Sequence, residues 1–238
     1  RYLRFFINYS KQPHNPETIR KLKINIGGIS KLSKERLLDE LRKIVSLSTL
    51  EKISKDKLIL DLISVIFPEL KNIKIFSKLN ENQKVFLVDT DFIFLISLMI
   101  MDGTDNVDYF LYKFNISKKN QRRIKIIDEF FKENKNKNTF SEKNMNKIFY
   151  YNGRQAVIDI LQFRIITTKK LDKKLIELIK IYKDKTSPIM PVGANVLMAK
   201  YKIPEGKQLG LKLKIIEEEW VKNDFKISDE QIEQIVNN

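Results

Sequence analysis

Leu37, Leu38, Leu41, Ile44 and Val45 return at intervals of three and four residues behind Ser33, and this spacing constrains the fold more than any other feature of the chain. Such intervals place side chains on one face of an α-helix, whereas a half-buried strand alternates. Ser33 is an N-cap residue type, and Leu32 and Leu37 flank it as a hydrophobic staple. The same logic applies upstream. Leu3, Phe6 and Ile7 form one face of a helix over about 1–10 that Lys11-Gln12-Pro13-His14 should end. Asn15 then caps a helix with Pro16 at its first position, followed by Ile19, Leu22 and Ile26 and stopped by Gly27-Gly28. Further helices are expected at about 55–66, 84–101, 106–114, 118–134, 143–150 and 152–164, with a polar loop between Lys132 and Lys143. After Ser187-Pro188 and Met190-Pro191, the pattern resumes over about 192–200, 206–223 and 228–236, a helix over about 170–184 having come before. Only 7 Gly and 6 Pro interrupt 238 residues, too few for a many-turned β protein. The expected fold is all-α, an elongated multi-helix array with sections over 1–80, 81–168 and 169–238.

Composition narrows function mainly by exclusion. There is no cysteine, so disulfide scaffolds, Cys-based zinc sites and thiol chemistry are out. The apolar run Phe92 to Met101 is far short of the roughly 20 residues a membrane helix needs and reads as a buried core helix. A cytoplasmic protein without membrane contact is the expectation. The first residues already read as the middle of an amphipathic helix, so further sequence is expected upstream. Lys and Arg outnumber Asp and Glu by 45 to 30, a net charge of +15. Such a surplus attracts polyanions. A generic Lys-rich surface explains it equally well, because Lys, Asn and Ile are abundant together.

Several motifs could carry chemistry. Arg1 and Arg4 lie one turn apart on a helix, and two guanidinium forks so spaced could grip phosphate oxygens or a base edge. They could equally form a solvated basic face. In Ser33-Lys34-Glu35-Arg36 through Glu40-Leu41, the charges could orient the first helix or make ordinary surface pairs. Asp89-Thr90-Asp91 has the D-x-D form that can hold two divalent metals, but it leads directly into an apolar helix. A helix-start role for its carboxylates is preferred. His14 is the one histidine and reads as a surface loop residue. Gly206 through Gly210 lacks the P-loop frame and reads as close helix packing. Phe149-Tyr150-Tyr151 with Arg154, and Tyr182-Lys183, could stack on unpaired bases, though core packing is preferred.

Taken in order, these motifs resemble the class II tRNA nucleotidyltransferases, which comprise the CCA-adding enzymes and the related bacterial poly(A) polymerases. Arg1-Tyr2-Leu3-Arg4-Phe5 looks like the end of the family's E-D-x-x-R-x-x-R-x-x-R-F helix. Asn15-Pro16-Glu17-Thr18-Ile19, Ser33 through Leu41, and Phe67-Pro68-Glu69-Leu70 are similar to segments that follow it. Pro191 through Met198 resembles a G-x-D-L segment, with Asn195 where Asp is common. Ile203 through Gly210, and Glu219-Trp220 through Phe225, then come in family order. The resemblance covers about 1–75 and 187–226.

The resemblance implies a modular enzyme with a catalytic head followed by helical neck, body and tail. These residues correspond to the last three. It implies Mg²⁺ on head carboxylates that this sequence lacks, ATP and CTP as substrates, and tRNA, held at its acceptor arm and 3′ end, as partner. Arg1 and Arg4 match arginines of the nucleotide site. Glu35, Arg36 and Glu40 match supports of the arginine helix. Neither a catalytic residue nor a metal ligand is carried over, and these residues alone are expected to be inactive. Whether the product is C-C-A, a single A or a poly(A) tail stays open, as does the oligomeric state. A non-enzymatic helical RNA-binding module and a helical protein-interaction scaffold are the alternatives.

Overall fold

The structure, a computed structural model, describes residues 1–10, 12, 14–133 and 139–237. Lys11 and Pro13 of the first expected turn, and residues 134–138 of the expected polar loop, lie outside them. The described residues form α-helices and two 3-10 turns, with no strand. The fold class is therefore all-α, as the periodicity requires.

The helices are α1 (Tyr2–Tyr9), α2 (Pro16–Ile24), α3 (Lys34–Ile44), α4 (Leu47–Lys55), α5 (Lys57–Ile66), α6 (Glu81–Val85), α7 (Phe92–Ile100) and α8 (Asn106–Phe114). There follow α9 (Lys118–Glu133), α10 (Glu142–Asn152), α11 (Arg154–Thr167), α12 (Lys173–Asp184), α13 (Ala194–Tyr201), α14 (Lys207–Lys222) and α15 (Asp229–Asn237). The 3-10 turns cover Ile26–Lys31 and Ile73–Ser77.

The predicted caps are in place. The Asn15 side chain accepts from the Glu17 and Thr18 amides at 2.9 and 3.3 Å, and Ser33 accepts from the Arg36 amide at 3.3 Å. Each satisfies a donor that the first helical turn leaves unpaired.

Three expectations need correction. The helix expected over 55–66 begins two residues later, because Asp56 both ends α4 and caps α5, accepting from the Ile59 amide at 3.1 Å. The helix expected over 84–101 is two helices, separated where the Asp91 side chain accepts from the Phe94 amide at 3.0 Å and starts α7. Gly27-Gly28 does not stop α2. Asn25 does, donating from its own side chain to the Lys21 carbonyl at 2.8 Å, and both glycines continue into the 3-10 turn at negative φ.

The chain divides into two compact units, one of Arg1–Lys135 with Asp159–Ile176, the other of Asn136–Ile158 with Glu177–Asn238. In the first, α1 packs on α3 and α4, α4 on the second 3-10 turn, α3 on α8, and α7 on α8 and α9. Every residue of α7 from Ile93 to Ile100 is buried. Among the described residues no helix is long and apolar enough to cross a membrane. Gln83 is buried, and its side-chain nitrogen lies 3.0, 3.2 and 2.9 Å from the carbonyl oxygens of Ile165, Ile166 and Thr168. It thus takes up carbonyls that the end of α11 cannot satisfy internally.

In the second unit Val192, Leu197, Leu209, Ile216 and Ile232 form one cluster. Tyr150 meets Trp220 and Phe225 at ring separations of 5.3 and 5.8 Å, and its hydroxyl donates to Glu217 at 2.6 Å. Burial and that carboxylate acceptor push the phenol up to about 12. Tyr182 is wholly buried and donates to the Asn146 side chain at 2.6 Å. Phe149 is core, and Tyr150 packs partly buried against Trp220, whereas Tyr151 is exposed.

Candidate functional site

The polar residues singled out on the first helices converge on one place in the first unit. Capping by Ser33 fixes the rotation of α3, so that Leu38, Leu41 and Ile44 turn inward and Glu40 falls on the edge facing α1. From there a Glu40 carboxylate oxygen reaches the Arg4 Nε at 3.2 Å, while Lys43 donates to the other oxygen at 3.2 Å. Burial alone would push the Glu40 carboxyl up. The Lys43 hydrogen bond and the Arg4 charge outweigh it and hold the group below the ordinary carboxylate range. Arg4 also lies over the Phe5 ring at 4.9 Å, so its guanidinium is held by a carboxylate and an aromatic face together.

A cavity of about 320 Å³ opens beside this pair. Arg1, Arg36 and Glu40 supply its charged lining, and Leu22, Ile26, Leu37 and Ile66 much of the rest. The volume is at the lower end of small-molecule sites, and an apolar floor with charge on one side suits a flat, polar-edged group. Of the residues selected from sequence, Arg1, Arg36 and Glu40 line the cavity. Arg4 does not, and is tied to it through Glu40. Glu35 stays exposed in the first turn of α3, where a negative charge complements the helix dipole.

His14 is not a surface loop residue. Its side chain is 5% exposed, 3.1 Å from Asp56 through Nε2 and 3.3 Å from the Tyr2 hydroxyl through Nδ1. Its ring stacks on Phe6 with centroids 3.7 Å apart. The imidazole thus joins α1 to the start of α5. The signal that could have exposed it was Tyr2 and Phe6, four apart and both able to face a ring placed after the helix.

Asp89 and Asp91 do not fit a magnesium site. Asp91 caps α7 and is ion-paired with Arg123, which also grips the fully buried Asp159 at 2.6 and 2.9 Å. Partial burial works against the Asp91 charge, but Arg123 and the Phe94 amide more than compensate, so its carboxyl sits below the ordinary range. Asp159 and Asp91 likewise raise Arg123, against its desolvation. The Arg123 guanidinium against Asp91 would repel a divalent cation there. Among the described residues no three His, Asp or Glu side chains are grouped to hold a metal. Sequence reasoning missed Arg123 and Asp159, since partners 36 residues apart leave no local pattern.

The close-packing reading of Gly206 and Gly210 also fails. A Cβ added at either would meet nothing within 4 Å. Gly206 is required instead by its φ of +147°, which starts α14 from a backbone conformation that side chains rarely adopt.

Set against known proteins, the chain matches no family model and no curated protein.

Proposed function

We propose that this chain is the RNA-holding helical portion of a template-independent tRNA nucleotidyltransferase, of the CCA-adding or poly(A) polymerase type, with Arg1 and Arg4 at its nucleotide site. The reading starts from the ordered motifs. The observation that carries it further is the Arg4–Glu40 contact at 3.2 Å, beside a cavity that Arg1 and Arg36 also line. It is the relation expected if the α3 helix exists to orient the arginine helix.

In this reading the apolar part of the cavity receives a base of ATP or CTP, and Arg1 meets its polar edge or its phosphates. The Glu40 charge and the Phe5 ring favour one placement of Arg4 beside the cavity, so less rotamer freedom is lost on binding. The exposed basic surface holds tRNA by phosphate contacts. The Mg²⁺ that the family uses has no counterpart among these carboxylates, and no metal step is assigned to them.

Two experiments test the proposal. The intact gene should encode a G-S turn, a D-x-D pair and E-D-x-x-R immediately before Arg1; their absence overturns the enzyme. In the intact enzyme, Arg4→Ala should reduce nucleotide incorporation about 100-fold, as loss of a charged contact made in the transition state does, while tRNA affinity changes less than about twofold. Equal loss of both removes Arg4 from the nucleotide site.

A further inference from the structure

We propose that the face where the start of α3 meets α8 binds an unpaired stretch of nucleic acid, with Tyr112 as a base-stacking ring. On α8, Val107, Phe110, Leu111 and Phe114 are buried and account for the helix's packing. Tyr109 and Tyr112 fall on the opposite face, one turn apart, and Tyr112 is 84% exposed. A ring so open to water contributes little to the fold, whereas a flat apolar partner would desolvate it.

One cation lies beside it and two more open the next helix, each set against its own helix dipole. Lys34 is the first residue of α3 and its ammonium lies 5.9 Å from the centre of the Tyr112 ring. Lys118 and Lys119 open α9, just after the left-handed Asn115 ends α8. Helix N-termini carry positive partial charge, so lysines there are mildly unfavourable unless an anion is close. None of the three makes an ion pair among the described residues. Their neighbours Lys113 and Lys125 do, with Glu69 at 2.6 Å and Asp108 at 2.9 Å. Exposed rings at helical spacing, with unpaired lysines on the neighbouring helices and the nearby Asp108 already taken up by Lys125, match a strand of alternating flat bases and phosphates. An acidic peptide would satisfy the charges and leave the rings bare. A duplex would offer phosphates but keep its bases stacked on one another.

Neither Lys34 nor Tyr112 lines the cavity, and the proposal does not rest on the nucleotidyltransferase reading. The test uses the full chain and a fluorescent oligo(A) RNA of about twelve nucleotides, with anisotropy followed across salt concentrations. Tyr112→Ala should weaken binding about tenfold and Tyr112→Phe less than about twofold, since the ring and not the hydroxyl does the stacking. Lys34→Gln should flatten the salt dependence by about 0.7 in log–log slope, the loss of one single-strand phosphate contact. Ile189→Ala, at an exposed apolar residue of the other compact unit, should leave this binding unchanged. Tyr112 is exposed, so its removal leaves the core intact, and a melting curve matching the parent's confirms the comparison. The proposal is overturned if Tyr112→Ala binds oligo(A) as tightly as the parent. It is also overturned if a duplex, a poly-glutamate peptide or phosphatidylserine vesicles depend on Tyr112 to the same degree.

Discussion

Gly206 and Gly210 lie four residues apart at the start of α14, and identical substitutions there should act in opposite directions. Gly206 has φ +147°, so a side chain strains the backbone whatever space is available. Gly206→Ala should therefore destabilise by about 1–3 kcal/mol. Gly210 is inside the helix, exposed, and has nothing within 4 Å of an added Cβ. Gly210→Ala should stabilise by about 0.5–1 kcal/mol, because alanine restricts the unfolded chain and favours helix. Thermal denaturation of the two variants checks both, and a shift of the same sign in both would contradict the assignment. His14 makes the same point about residues. A lone histidine in a Pro-containing turn looks peripheral, yet stacking on Phe6 and contact with Asp56 make it part of the packing of α1.

At the scale of elements, single side chains decide where helices begin. Asp91 separates α6 from α7 by capping, and the same carboxylate pairs with Arg123. Its folded-state acidity is therefore stronger than that of an unfolded aspartate. A depressed carboxyl contributes stability that is complete above the unfolded value of about 4 and disappears as pH falls through the folded one. Asp91→Asn keeps an oxygen to cap the Phe94 amide but carries no charge. The parent should thus lose stability between about pH 5 and 3 more steeply than the variant, measured by melting across that range. Parallel curves would mean that the Arg123 pair adds nothing beyond the cap. Asp56 works in the same manner between α4 and α5, where one residue ends a helix and caps the next.

For the molecule as a whole, the surplus of 45 basic over 30 acidic residues is the dominant property. Many of the acids are engaged in ion pairs, including Glu40, Glu69, Asp91 and Asp159, so the unpaired charge presented to a partner is positive. Binding to tRNA should weaken linearly in a log–log plot against salt, with a slope set by the number of phosphates contacted. A nitrocellulose or anisotropy titration from low to physiological salt measures it. Weak, salt-insensitive binding would favour the protein-interaction scaffold instead. The two compact units draw on separated stretches of chain, with residues 159–176 joining 1–135.

Helicity, most helix ends and the buried face of α3 could be read from residues alone, because apolar spacing and capping act within a turn or two. So could the core character of Phe149 and Tyr182, and the helix-start role of Asp91. No helix was expected where α4 lies, because Leu47, Leu50 and Ile53 make too short an apolar stripe to mark one. Tyr109 and Tyr112 stand out only through their exposure, and Tyr112 also through the approach of Lys34. What tertiary structure alone decided are the long-range pairings: Arg4 with Glu40, His14 with Asp56, and Arg123 with Asp159. The physical reason is reach. Sequence determines which face of each helix is apolar, whereas a charge finds its partner only when packing of those faces has set which polar edges adjoin. The arginine helix was thus visible from its spacing, and among the charges expected to support it, the packing of α3 selects Glu40 as the one that meets Arg4.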